Sequence, residues 1–369
     1  MTTAVAGAGA SPTAAPDRLP AVLPAARRWR RVGPLGGLTV VLAATILVSA
    51  GVGAVPIRPL QALAMLADRA GLHLGVAYSA QQDAVLWAIR LPRVVLGTVV
   101  GAGLGLSGAA LQGVFRNPLA DPGLIGVSSG AALGAVAAIV LGLGAVGAAT
   151  LPVAAFAGGL AATLAVYALA RRDGRTEVVT LVLTGVAVNA IVGAGIGLLT
   201  LLADDQQLRS LVFWSLGSLG SATWPAVAAS APLVALGLVL IPRFAVSLNL
   251  LVLGEREAFH LGVHPERVRM ALVALCALTT GAAVAAAGIV GFVGLVVPHL
   301  VRLAWGPDHR LALPASALGG AIAVVVADLL ARTAAAPTEV PLGVVTGAAG
   351  GPFFLWLLHR TRRAQGGWG

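Results

Sequence analysis

The sequence predicts an all-α polytopic membrane protein with about ten transmembrane helices per protomer, and three observations carry that prediction. Of 369 residues, 58% are hydrophobic and only 10% charged, with a mean hydropathy of +0.93, a balance that a water-exposed surface does not tolerate. The apolar residues fall into ten runs, most of them near the ~20 residues that a helix needs to cross a bilayer. Glycine fills 48 positions, about twice its usual ~7% share, and much of it lies inside apolar runs, where small residues let helix backbones approach. Gly97, Gly101 and Gly105, then Gly193 and Gly197, then Gly343, Gly347 and Gly351 recur at every fourth position, a spacing read as tight helix packing.

Residues 1–34 open on an Ala-, Pro- and Thr-rich segment that turns basic at Arg27, Arg28, Arg30 and Arg31, and they are expected to form a disordered basic tail. A signal peptide shows the same order of basic then apolar residues, but its charged region seldom comes so late, so the run at 35–55 reads as an uncleaved first span. Further spans are expected at 92–114, 123–143, 149–170, 178–202, 225–242, 268–287, 289–305, 311–331 and 340–358, with 225–242 and 289–305 the short ones. Residues 35–360 therefore read as one transmembrane domain, and 361–369 as a cytoplasmic tail.

With the N-terminus inside, an even number of spans returns the C-terminus to the same side. The 24 basic residues are then 18 inside and 6 outside, the asymmetry of the positive-inside rule. Trp87, Trp214, Trp224, Trp305 and Trp356 fall near span ends, as an interfacial aromatic belt does. Ten spans also divide into two sets of five, and an odd number inverts the second set, a common transporter plan.

Composition excludes several functions. All basic residues are arginine, and a phosphate-binding loop needs a lysine at the terminal phosphates, so any ATP that drives this chain is hydrolysed elsewhere. The net charge of +10 is scattered between spans and forms no soluble basic face for nucleic acid. Cys276 is the single cysteine and forms no internal disulfide. Asp328 is the one acidic residue clearly inside a predicted span, near its outer end, which speaks against an ion-coupled carrier. Histidine, cysteine and acid pairs suited to catalysis or metal binding are lacking: His299 is isolated, His260, His264, His309 and His359 fall inside, and His73 alone lies outside.

Three blocks carry more specific information. Arg116-Asn117-Pro118-Leu119-Ala120-Asp121-Pro122-Gly123-Leu124-Ile125-Gly126-Val127-Ser128-Ser129-Gly130 places two prolines and three glycines between apolar runs, with turn-forming Asn117 and Asp121 each before a proline, and reads as a tight re-entrant loop. The longest inner loop, 243–269, alternates apolar and charged residues and has helix stops at Gly254 and Gly262. Two short surface helices are expected there, at about 247–264, either docking a partner or touching only lipid. The third block runs from Gly288 through Pro298-His299 to Arg302 and on to Gly306-Pro307-Asp308, where Pro298 should distort its span.

These blocks resemble the signatures of the FecCD family, the permease subunits of binding-protein-dependent ATP-driven importers for iron complexes and cobalamin. The resemblance covers 90–134 and 181–360, and the first 89 residues match weakly. It implies a type II ABC importer permease fold with inverted five-helix halves, working by alternating access as a homodimer in the bacterial cytoplasmic membrane, multi-pass with both termini cytoplasmic. Two ATPase subunits would hold ATP and Mg below it, and an extracytoplasmic substrate-binding protein would dock above. The chain itself would bind no cofactor or metal and have no catalytic residue. The resemblance further assigns ATPase coupling to Glu255, Glu257, Ala258, Phe259, Leu261 and Gly262, and binding-protein docking to Arg90 and Arg332. Asp328 stands one helical turn before Arg332, and a local ion pair is the competing reading. Ser128, Ser129, Trp214, Ser215 and Ser218 are expected on the translocation path. The outer segment Leu202–Gly220 with Ala222-Thr223-Trp224 resembles haem permeases most, with ferric siderophore or cobalamin as alternative cargo.

Overall fold

The computed structural model describes residues 24–172 and 175–364. In chain order its helices are α1 (Pro24–Gly51), α2 (Pro59–Arg69), α3 (Ala80–Val85), α4 (Leu91–Phe115), α5 (Val127–Val140), α6 (Thr150–Ala170), α7 (Val178–Leu201), α8 (Asp205–Ser215), α9 (Trp224–Leu240), α10 (Ala245–Leu251), α11 (Glu255–His260), α12 (Pro265–Ala287), α13 (Val293–Trp305), α14 (His309–Thr333) and α15 (Leu342–Ala364). One π-type turn, Leu86–Arg90, joins α3 to α4, and a two-residue hairpin, β1 (Arg171–Arg172) with β2 (Arg175–Thr176), joins α6 to α7. A helix stands at each of the ten expected spans, five before α8 and five after it. Helix α1 starts at Pro24, inside the segment expected as tail, while residues 1–23 and the end of the expected C-terminal tail after 364 lie outside the described residues.

Among the described residues, seven segments are long and apolar enough to cross a membrane, and three helices, Val127–Val140, Val293–Trp305 and the apolar part of α15, are shorter. The short ones depart from the expected boundaries for identifiable reasons. At 123–143 the Asp121 carboxylate accepts the Gly123 amide at 2.8 Å, a 3-10 turn follows over Pro122–Ile125, and Gly126 adopts φ +82°, so the α-helix begins only at Val127. At 289–305, Gly288 (φ +70°) ends α12, Phe292 (φ +66°) starts a new direction, and the stretch between is non-helical. Helix α13 has 13 residues, or ~20 Å at ~1.5 Å per residue, against a hydrocarbon thickness of ~30 Å. A broken span of this kind persists in a membrane only where protein surrounds the unpaired backbone.

Helix α4 is the centre of the bundle. In the apolar 18-residue core of the segment Ala80–Phe115, 83% of the residues are buried, against 11% in that of Gly33–Gly51, which lies at the periphery. The expected glycine packing holds on α4: a Cβ at Gly101 would run into the Gly320 carbonyl, and one at Gly105 into the Ser316 carbonyl of α14. Backbones can cross this closely only because no side chain stands between them. The same spacing on α7 means something else, because a Cβ at Gly193 or Gly197 would meet nothing within 4 Å, and the same holds for Gly347 and Gly351 of α15. Those glycines lie on open faces of the protomer, so spacing alone overestimates packing.

Candidate functional site

The outer rim is organised by arginines. Arg90, 5% exposed, donates from Nη1 to the Ala50 and Gly51 carbonyls at 2.7 and 2.8 Å and from Nη2 to the Val55 carbonyl. Arg332 donates to the Val52 carbonyl at 2.8 Å, to Ser49 Oγ at 2.9 Å and to the Ser49 carbonyl. Both therefore bond carbonyls at the C-terminus of α1 and in the turn that follows it. They converge on Gly53, where an added Cβ would come within 2.7 Å of Arg90 Nη2 and 3.5 Å of Arg332 Nη1.

A third arginine, which the sequence reading did not single out, joins them. Arg93 donates to Asp328 at 3.0 and 3.1 Å and to both Glu339 oxygens at 2.7 and 3.0 Å. Asp328 does lie 3.7 Å from Arg332, as the local ion-pair reading expects, but its shorter contacts go to Arg93, across the bundle. The Arg93 guanidinium, hydrogen-bonded to Glu339, holds that carboxyl below the usual carboxylate range against the opposing effect of burial. Glu339 thereby ties the α14–α15 loop to the outer end of α4.

The re-entrant loop is locked from within the membrane-spanning region. Ser129 Oγ donates to Gly126 O at 3.1 Å and also hydrogen-bonds Asn189 Oδ1, while Asn189 Nδ2 donates to Gly123 O at 3.2 Å. Ser129 is thus engaged in holding the loop, and Ser128 beside it is half-buried. Trp214 packs on buried Ala131, Ala135, Ala155 and Val284, so of the expected path residues it faces the protein interior. Ser215 and Ser218 are exposed. They flank a loop pinned by backbone bonds from Ser218 N to Ala287 O (2.8 Å), Leu342 N to Gly217 O (2.9 Å) and Gly343 N to Leu216 O (2.8 Å), which fix the outer segment to the ends of α12 and α15.

On the arginine-rich inner side, α10 and α11 form the expected pair of short helices. Gly254 takes φ +126° and Gly262 φ +85°, conformations that favour glycine, and Val263 N returns to Ala258 O at 2.9 Å. Ala258 is fully buried and anchors the turn, whereas Phe259 and Leu261 are 56% and 59% exposed. Glu257 and Gly262 are exposed beside them. The result is a small projecting knob with an apolar tip. Glu255 is also exposed, and Arg269 and, at 3.7 Å, Arg116 meet its carboxylate.

Asn189, Arg93, Gln112, Asn249 and Arg269 are the polar residues that sequence reasoning passed over. Gln112 donates to the Gly294 and Leu295 carbonyls at 3.2 and 3.3 Å and accepts from Arg302, which ties α4 to the first turn of the short helix α13. Asn249 Oδ1 lies 2.8 Å from His309 Nδ1. Their shared signal was available: each is a polar group in or beside an apolar run, where bilayer and core alike penalise it unless it is paired. Among the described residues, no group of three or more His, Cys, Asp or Glu could hold a metal ion.

Comparison with solved structures fixes the class. The fold superposes with a TM-score of 0.79 and 31% identity, over 89% of this chain and all but 1% of the other (99% covered), on an inward-facing transporter assigned to the metal-chelate type of ABC transporter. This protein is accordingly a permease subunit of an ABC importer and is not itself the ATPase, with the multi-pass topology of an inner-membrane permease. It belongs to the FecCD transport family, whose model matches residues 41–360. Among its relatives are the hemin transport system permease protein HmuU of Yersinia pestis, 47% identical over 288 residues (76% of this chain, 84% of the relative), and the cobalamin import system permease protein BtuC of Halobacterium salinarum, 47% identical over 295 residues (80% and 78%).

Proposed function

We propose that the chain forms the membrane pore of a haem importer, as a homodimer with an ATPase subunit below each protomer and an extracytoplasmic binding protein above. The observation that carries haem is the outer segment from Asp204-Asp205-Gln206 to Trp214-Ser215-Leu216-Gly217-Ser218-Leu219-Gly220, which resembles haem permeases, supported by the match to a hemin permease. An equally high identity to a cobalamin permease supports cobalamin as the second reading. Co-expression with the ATPase, reconstitution in liposomes and delivery by candidate binding proteins should give ATP-dependent uptake of haem and not of cobalamin or a ferric siderophore. Uptake of cobalamin alone would replace the cargo and keep the mechanism.

The knob is proposed as the ATPase contact and the rim around α1 as the seat of the binding protein, with Ser128, Ser215 and Ser218 toward the path. An apolar projection such as Phe259 and Leu261 fits a groove on a partner, because desolvating exposed apolar tips favours association. Arg90 and Arg332 act at the rim by holding the end of α1 in the shape that a partner meets. Co-purification tests both contacts. Phe259→Asp with Leu261→Asp should strip the ATPase subunit while leaving the binding protein attached, and Arg90→Glu with Arg332→Glu should do the reverse. Retention of both partners by both variants would remove these assignments.

A further inference from the structure

The inner end of the bundle holds a charge cluster that partner contact does not require. Arg269, in the first turns of α12, is only 6% exposed. Its Nη2 donates to Glu255 Oε1 at 2.5 Å and its Nη1 to Glu266 Oε2 at 3.0 Å and to the Thr176 carbonyl. Glu266 in turn accepts from Tyr167 Oη at 2.7 Å, from Thr176 Oγ1 at 2.8 Å and from the Thr176 amide at 3.2 Å. Glu255 is the first residue of α11, Tyr167 lies in the last turn of α6, and Thr176 ends the hairpin that leads into α7. One guanidinium thus connects the knob, in the second set of five helices, to α6 and α7 in the first.

We propose that Arg269 is the positioning residue through which movement of the knob passes to α6 and α7. The planar fork of a guanidinium holds its acceptors in fixed directions, unlike the point charge of a lysine. Glu255 cannot shift without displacing Arg269, and Arg269 cannot shift without pulling on Thr176 and, through Glu266, on Tyr167. Arg116, at the end of α4, faces Glu255 from the other side at 3.7 Å, so the central helix feels the same displacement. Glu266 and Arg269 both stand on the first turns of α12, so the displacement enters α6 and the hairpin through directional polar bonds at that end of the helix. This inference rests on reading the knob as the ATPase contact.

The test uses the full importer in liposomes and reads cargo moved per ATP hydrolysed, a ratio that a merely structural defect in protein yield does not change. Arg269→Gln should lower this ratio about fivefold or more, the lower range of coupling between distant sites, and Arg269→Lys should recover part of it because charge returns without the fork. Adding Tyr167→Phe to Arg269→Gln should cause no further fall, since groups in one network are non-additive. Should Arg269→Gln fail to assemble, Tyr167→Phe and Glu266→Gln alone carry the test, and each should lower the ratio. An unchanged ratio in these variants overturns the proposal, as does loss of the ATPase subunit from them, which would make the cluster part of the contact itself. Failure of the underlying reading shows separately, as retention of the ATPase by the Phe259→Asp, Leu261→Asp protein.

Discussion

Asp328→Ala is expected to destabilise the protein by about 3–5 kcal/mol, the cost of leaving one partner of a buried ion pair alone. Asp328 is 2% exposed and is held by Arg93 at 3.0 Å and Arg332 at 3.7 Å, so its removal leaves two cations facing each other at the outer rim with only Glu339 between them. The measurement is thermal unfolding of the detergent-solubilised protein, followed by tryptophan fluorescence or by loss of the monodisperse peak. A double replacement, Arg93→Met with Asp328→Leu, should restore most of the loss, because exchanging a whole buried pair for apolar groups of similar size is often neutral. Glu339, whose side chain is 45% exposed, then hydrates instead of remaining buried and unpaired. If Asp328→Ala melts with the parent protein, the rim is not held by this cluster.

Gly105→Leu should be at least as damaging, because the backbone crossing of α4 and α14 has no room for it. Even a Cβ at Gly105 would overlap the Ser316 carbonyl and come within 3.1 Å of Gly320 Cα, and both obstacles are backbone that no rotamer change can move. Overpacking by a single methylene in a close-packed site already costs ~1–3 kcal/mol, and leucine adds several. The matching control is Gly193→Leu on α7, where a Cβ meets nothing within 4 Å and the isolated protomer should keep its melting temperature. Equal melting of the two variants would show that the α4–α14 crossing yields more easily than its geometry implies.

The control also marks the limit of sequence periodicity. Glycines four apart read the same on α4 and on α7, yet one set lies at a backbone crossing and the other faces outward. The ten spans were legible because hydropathy is a local property that acts on each run separately. Their ends were less so at the re-entrant loop and at Gly288–Phe292, where left-handed glycine and phenylalanine conformations shorten α5 and α13. The knob was legible from Gly254, Gly262 and the apolar residues between them. Its attachment through Glu255, Arg269, Glu266 and Thr176 was not, because those partners are brought together by packing of helices far apart in the chain.

By itself, then, the sequence determined that the chain spans a membrane many times, which side carries the arginines, that it lacks the lysine of a phosphate-binding loop, and where its surface knob stands. Each of these follows from composition or from neighbours within a few turns. Only the tertiary structure decided that Arg93 belongs to Asp328 and Glu339, that Arg90 and Arg332 close the end of α1, that Ser129 meets Asn189, and that Arg269 joins the two sets of helices. A buried polar side chain must find a partner in an apolar medium, but which partner it finds depends on which helices lie side by side. That choice is made by the close crossing of whole helices, above all at Gly101 and Gly105, whose spacing announces a close approach but not the helix that makes it.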